Sequence, residues 1–159
     1  MNVTQLCPQV SVKIDQALKK MLKGSVPVIS TDMLADLMCC ESNWFILDSR
    51  EFTEFEISHL PDAQWVGYSD YSVLRVLGMP KDANVVVYCS IGVRSENIGE
   101  KLLASGFTNV RNLYGGIFVW ANEHKRLIEQ NQKATLALHG YDRNWAKLLD
   151  HHVDCILTK

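Results

Sequence analysis

In the segment VVVYCSIGVRSENIGEKLL, an apolar run ends in Cys89, and Arg94 follows five residues later, where a helical pattern begins. A thiol between the carboxyl end of a buried strand and the start of a helix meets unpaired backbone N–H groups and the positive end of the helix dipole. Such places favour a thiolate. Gly92 lets the loop turn without steric penalty. Arg94 adds a fixed positive charge with a two-pronged fork for an oxyanion. Together these groups suit nucleophilic attack on a small anion. A free cysteine at a strand end is more often a small buried hydrophobe, but the loop Cys-Ser-Ile-Gly-Val-Arg-Ser between this strand and this helix points to chemistry.

The surrounding pattern says what positions the loop. Residues 11 to 23 read as a helix with Ile14, Leu18, Met21 and Leu22 on one face, ended by Gly24. VPVIS is a short strand, and Ser30 or Thr31 can cap a helix over DMLADLMCC. WFILDS is a buried strand with a polar end. EFTEFEISHLPDAQWVGY holds a short helix, a turn at Pro61-Asp62 and a brief strand near Trp65. SDYSVLRVLGMP is a capped short helix, and NVVVYC is a strand of the fully buried kind. Ser95 to Ser105 is a helix stopped by Gly106, NVRNL a strand, YGG a turn, and IFVWANEHKRLIEQ a closing helix. Alternating strands and helices predict an α/β layer with a largely parallel sheet. The tail beyond residue 130 carries Tyr141, Trp145, Leu148 and Leu149 at helical spacing, a face expected to pack back on the domain.

The 159 residues suit one domain with extensions, and 47% apolar against 21% charged residues is an ordinary globular balance. A formal charge of −2 supplies no basic field for nucleic acid. No apolar run reaches the length needed to span a bilayer. The first twenty residues lack the apolar centre of a secretory signal, so a cytoplasmic location is expected. The cysteines are Cys7, Cys39, Cys40, Cys89 and Cys155; without CxxC pairs they read as reduced thiols.

Four segments, in this order and spacing, resemble a single-domain rhodanese of the sulfurtransferase family: ILDSREFTEFEISHLPDAQWV, VVVYCSIGVRS, GEKLLASGF and VRNLYGGIFVWA. The resemblance covers residues 26–128, leaving an N-terminal helical extension (1–25) and a C-terminal helical extension (129–159). It implies a rhodanese-like α/β fold, a five-stranded, mainly parallel sheet flanked by helices. It further implies a ping-pong reaction. Cys89 would attack the outer sulfur of thiosulfate or a related small anionic donor and carry a persulfide, which a thiol or cyanide would then accept. The loop Ser90, Ile91, Gly92, Val93 and Ser95 would hold the persulfide through backbone N–H groups, and Arg94 would bind the donor and stabilise the departing sulfite. No metal or organic cofactor is implied. Ser95 either donates to the sulfur or caps the helix.

The six-residue span from Cys89 to Arg94 matches the sulfurtransferase loop. Phosphatases and arsenate reductases of the same fold carry one residue more, and they usually have His where this chain has Tyr88. Such a small-anion enzyme, or a non-catalytic binding and sensing module, is the alternative. The residues between Cys89 and Arg94 are uncharged, so a single arginine faces a dianion, and thiosulfate is a doubtful natural donor. Asp48 and Arg50 are expected to support the site by anchoring loops at the sheet's edge. His59 reads as structural, Trp120 as core or pocket wall, and His151, His152, Asp154 and Cys155 as a solvated tail rather than a metal site.

Overall fold

In the computed structural model, helix α1 (Val12–Met21) leads through a glycine turn to strand β1 (Val28–Ile29) and helix α2 (Thr31–Cys40). Strand β2 (Trp44–Asp48), the single-turn helix α3 (Phe52–Phe55) and strand β3 (Ala63–Trp65) follow, then a 3₁₀ turn at Val73–Val76 capped by Ser72. Strand β4 (Asn84–Tyr88), helix α4 (Val93–Ala104), strand β5 (Asn109–Leu113) and helix α5 (Gly116–Asn122) complete the central unit. The structure describes residues 12–40 and 43–158. Cys7 and the opening residues of the expected N-terminal extension lie outside them.

The sheet runs β1-β5-β4-β2-β3 with every pairing parallel. Strand β4 is central, and its Val85, Val86, Val87 and Tyr88 are all buried. Side chains alternate across the pleat. Val86 and Tyr88 therefore meet Ile14 and Leu18 of α1, Leu34 of α2 and the apolar face of α5, while Val85 and Val87 meet Ile98 and Leu102 of α4. Burial on both faces is why this strand reads as an unbroken apolar run. Ile14 and Leu18 are wholly buried, each stabilising the fold by about 1.5–3 kcal/mol, so α1 belongs to the core rather than hanging from it.

Two stretches depart from the sequence reading. The closing helix stops at Asn122, not near residue 130. His124 takes a left-handed conformation (φ +59°), and Lys125 N–H turns back to the Trp120 carbonyl. This is a helix stop without the usual glycine. The C-terminal extension, expected to be helical, is mostly extended. Strand β6 (Leu127–Ile128) pairs antiparallel with β7 (Ala134–Thr135), and β8 (Ala137–His139) pairs parallel with β9 (Asp154–Ile156). Only a 3₁₀ turn, Trp145–Leu148, lies between β8 and β9. Asp142 explains its brevity: the carboxylate accepts from the N–H groups of Asn144 and Trp145, fixing one turn. Leu149 is already extended. The helical spacing of Trp145, Leu148 and Leu149 still brings all three against the core. Among the described residues, no helix is long and apolar enough to cross a membrane.

Candidate active site

In parallel α/β sheets, sites form beyond the carboxyl ends of the strands. Here β4 ends at Tyr88, and Cys89 begins the loop that enters α4. Cys89 is 1% exposed. The backbone N–H of Gly92 points at its Sγ from 3.2 Å. Gly92 is the first residue of the helix cap, with φ +128°. The loop's shape is held from α5, whose Ile117 and Phe118 N–H groups donate to the carbonyls of Cys89 and Ser90, both at 3.0 Å. That approach requires Gly116: its φ is +57°, and a Cβ there would collide with the same two carbonyl groups.

Ser95 lies in the first turn of α4, and its hydroxyl does not cap the helix. It donates to Asn112 Oδ1 at 2.6 Å and lies 3.5 Å from Cys89 Sγ. One hydroxyl carries one proton, so the shorter bond to Asn112 fixes its resting place beside the sulfur. Asn112 Nδ2 in turn donates to the Gly92 carbonyl at 2.8 Å. Asn112 was not singled out from sequence. The available signal was a polar residue at an inward position of β5, two residues from buried Val110.

Arg94 does not stand free over the thiol. Its Nη1 donates to Glu54 Oε2 at 2.7 Å and its Nη2 to Glu54 Oε1 at 2.9 Å. Nη2 also donates to Ser90 Oγ at 2.9 Å, and the Tyr141 ring lies over the guanidinium, 4.8 Å from the ring centre. Burial works to raise the Glu54 pKa, but the Arg94 pair outweighs it and holds the carboxyl below its ordinary value. Burial likewise works against the Arg94 charge, and Glu54 reverses that, leaving the guanidinium more firmly protonated than usual. Glu54 was missed because nothing local separates it from Glu51 and Glu56; its partner is 40 residues away.

Asp48 and Arg50 form a wholly buried ion pair, with Arg50 Nη2 2.7 Å from Asp48 Oδ2 and donating to the Ser58 carbonyl at the same distance. The pair borders the site through Ser49, whose N–H and hydroxyl both donate to the Tyr88 carbonyl. His59 is buried, stacked on Phe55, with Nδ1 3.0 Å from the Phe55 carbonyl. His152 stacks on His124 and bonds the Ala121 carbonyl. Among the described residues, no group of three or more His, Cys, Asp or Glu side chains is arranged to hold a metal ion.

A pocket of about 130 Å³ opens over the thiol. Its walls come from the loop (Ser90, Ile91, Val93, Arg94), from Met21 at the end of α1, and from Tyr141 and Trp145 of the C-terminal extension. Both extensions therefore help to enclose the sulfur.

His139 ends β8 behind this wall, 5% exposed, with Nδ1 4.0 Å from Glu54 Oε1. Tyr141 N–H donates to Nδ1 at 3.0 Å, so the ring proton sits on Nε2, which faces Thr158 Oγ1 at 2.9 Å. Burial pushes the imidazole below its ordinary pKa of 6.5; Glu54 opposes this, and Arg50 and Arg94 add to it. The unfolded chain gains a proton near pH 6.5 that the fold refuses until lower pH, so stability is fully present above 6.5 and declines as pH falls below it. Urea midpoints measured from pH 6.5 down to about 5 should fall for the wild type and fall less for His139→Gln. Parallel slopes would show that His139 is not the titrating group.

A family model for the rhodanese-like domain matches residues 30–123, more than half of the chain. The chain belongs to the rhodanese-like domain family. It is 31% identical over 93 residues to a sulfurtransferase of Allochromatium vinosum, a match covering 58% of this chain and 86% of that protein. It is 29% identical over 93 residues to a tRNA uridine(34) hydroxylase of Pectobacterium carotovorum, covering 55% of this chain and only 26% of the hydroxylase. The solution structure of a rhodanese-like domain from an Anabaena sp. protein superposes with a TM-score of 0.60 at 21% identity, over 65% of this chain and 79% of that one. The rhodanese-like match stops at residue 123, so Tyr141 and Trp145 of the pocket wall lie beyond it.

Proposed function

We propose that this rhodanese-like domain is a sulfurtransferase that carries a sulfane sulfur as a persulfide on Cys89. The observation that carries the reading is the thiol itself. It sits on the floor of a pocket, at the N-terminus of a twelve-residue helix, with the Gly92 N–H aimed at the sulfur. In the first half-reaction the Cys89 thiolate attacks the outer sulfur of a donor. The donor's sulfur–sulfur bond breaks as the Cys89 persulfide forms. In the second, a thiol or cyanide attacks the outer sulfur and restores the thiolate. The Gly92 N–H and the helix dipole hold the negative charge on the terminal sulfur. Arg94 keeps the loop in shape through Ser90, and its fork is engaged by Glu54 rather than free for the donor. The sulfurtransferase relative supports this reading. The hydroxylase relative contains such a segment as about a quarter of its length, and its reaction is not carried over.

The test is intact mass after exposure to inorganic polysulfide, an organic hydropersulfide and thiosulfate in turn, followed by peptide mapping. One added sulfur on the Cys89 peptide, released by cyanide as thiocyanate, is the expected result. Mapping matters because Cys39, Cys40 and Cys155 are exposed and can take up sulfur without chemistry at the site. No gain at Cys89 from any donor overturns the reading.

A further inference from the structure

Resting on the persulfide reading above, we propose that Glu54 sets the donor class: by neutralising Arg94 beneath an apolar pocket, it selects organic hydropersulfides (R–S–S–H) with an uncharged apolar tail over dianionic donors such as thiosulfate. Among the described residues lining the pocket, Arg94 is the only side chain that carries a cationic charge, and no carboxylate lines it. The Glu54 carboxylate lies against it, 3% exposed, with both oxygens engaged. Oε2 also accepts the Glu51 N–H at 3.0 Å, and Oε1 lies 3.4 Å from Ser90 Oγ. A carboxylate held on both oxygens cannot swing aside to release the guanidinium. Among the described residues lining the pocket there is no second cation. The His139 ring is engaged on both nitrogens by Tyr141 N–H and Thr158 Oγ1, with burial lowering its pKa, and Arg50 is committed to Asp48.

A dianion entering this space sheds its hydration and meets a pair of zero net charge. The helix N-terminus offers about half a unit of positive charge, which suits one sulfur anion and falls short of a sulfonate beside it. The remaining walls favour an apolar body. Met21, Ile91 and Val93 offer aliphatic contact, and Trp145 and Tyr141 offer ring faces.

The step balances without an oxidant. The Cys89 thiolate attacks the outer sulfur of R–S–S–H. A new sulfur–sulfur bond forms on Cys89 as the donor's breaks, and the electron pair leaves on R–S⁻. The proton on the transferred sulfur passes to R–S⁻, giving R–SH and the Cys89 persulfide anion.

The experiment compares loading of Cys89, followed by intact mass, from two hydropersulfides that differ in tail charge: benzyl hydropersulfide and the hydropersulfide of mercaptosuccinate. Each rate is normalised to the donor's reaction with a free small thiolate. In the wild type, the benzyl donor should be favoured by about thirtyfold, within the range set by pocket contacts. Glu54→Gln should narrow that preference by about tenfold and raise loading from thiosulfate, because a charged partner of Arg94 has been removed. Trp145→Ala should lower benzyl loading by about tenfold, a second readout if the Glu54 variant does not fold. A wild-type ratio near one, or favouring the dicarboxylate, overturns the donor assignment and leaves the persulfide reading standing. Loading from no donor at all overturns both.

Discussion

Cys89→Ser should abolish sulfur transfer, lowering turnover by at least ~10⁴-fold, the scale seen when a covalent nucleophile is removed. The hydroxyl is a far weaker nucleophile than the thiolate, and among the described residues no base is hydrogen-bonded to the residue 89 side chain to activate it. Its neighbours there are the Gly92 N–H and a Ser95 hydroxyl already bonded to Asn112. The fold should survive. Serine is slightly smaller than cysteine, and its oxygen can still accept the Gly92 N–H. Melting should shift by little, within the range of a single small core change, about 1 kcal/mol. The other described thiols cannot take over. Cys39 and Cys40 close α2 and are not among the residues that line the pocket. Burial and the Asp154 charge push the Cys155 thiol up. Steady-state thiocyanate production with an organic hydropersulfide and cyanide measures the effect. Turnover above about 1% of wild type, with Cys39, Cys40 and Cys155 still present, would remove Cys89 from the mechanism.

What could be read in the sequence follows the distance over which each interaction acts. The Cys89 loop was legible because thiol, glycine, arginine and helix start are contiguous. The central strand was legible because burial on both faces forces Val85 to Tyr88 to be apolar together. The parallel character of the sheet followed from the alternation of strands and helices, whereas the order β1-β5-β4-β2-β3 rests on long-range pairing that no local pattern carries. The electrostatics of the loop were not legible. Arg94 appeared as a free fork because its partner, Glu54, comes from a different strand–helix junction. Asn112 was hidden for the same reason, since its two bonds reach Gly92 and Ser95 from the neighbouring strand. In the tail, periodicity marked Trp145, Leu148 and Leu149 as inward-facing but assigned the wrong backbone. Asp142 fixes a single turn, and pairing of β8 with β9 decides the rest. Tyr141, at φ +66°, could not have continued a helix from β8, and that conformation turns its ring toward Arg94.

Asp48→Ala should cost the fold about 3–5 kcal/mol, the range for stranding one member of a buried ion pair. Both side chains are wholly inaccessible to solvent. Burial alone would press Arg50 toward losing its proton, and the Asp48 charge reverses this, so the guanidinium stays protonated with Asp48 as its counterion. Tyr88 adds a ring face 5.7 Å away. Arg50 Nη1 already lacks a hydrogen-bond partner, so little polar capacity is left to absorb the loss. Against a whole-domain stability of about 5–15 kcal/mol, such a loss is a third or more in a typical case. Asp48→Ala combined with Arg50→Leu separates the two possible origins. If the penalty is the stranded charge, removing that charge should restore part of the stability. Restoration stays incomplete because the Ser58 carbonyl loses the Arg50 donor it has at 2.7 Å. If the penalty is only lost packing, the double variant should be worse than the single one. Urea midpoints and slopes for the three proteins distinguish these results. A loss below about 1 kcal/mol in Asp48→Ala would mean that water reaches Arg50. The same variant reports on the site, because the turn that holds Asp48 and Arg50 also places Ser49 on the Tyr88 carbonyl, one residue before the nucleophile.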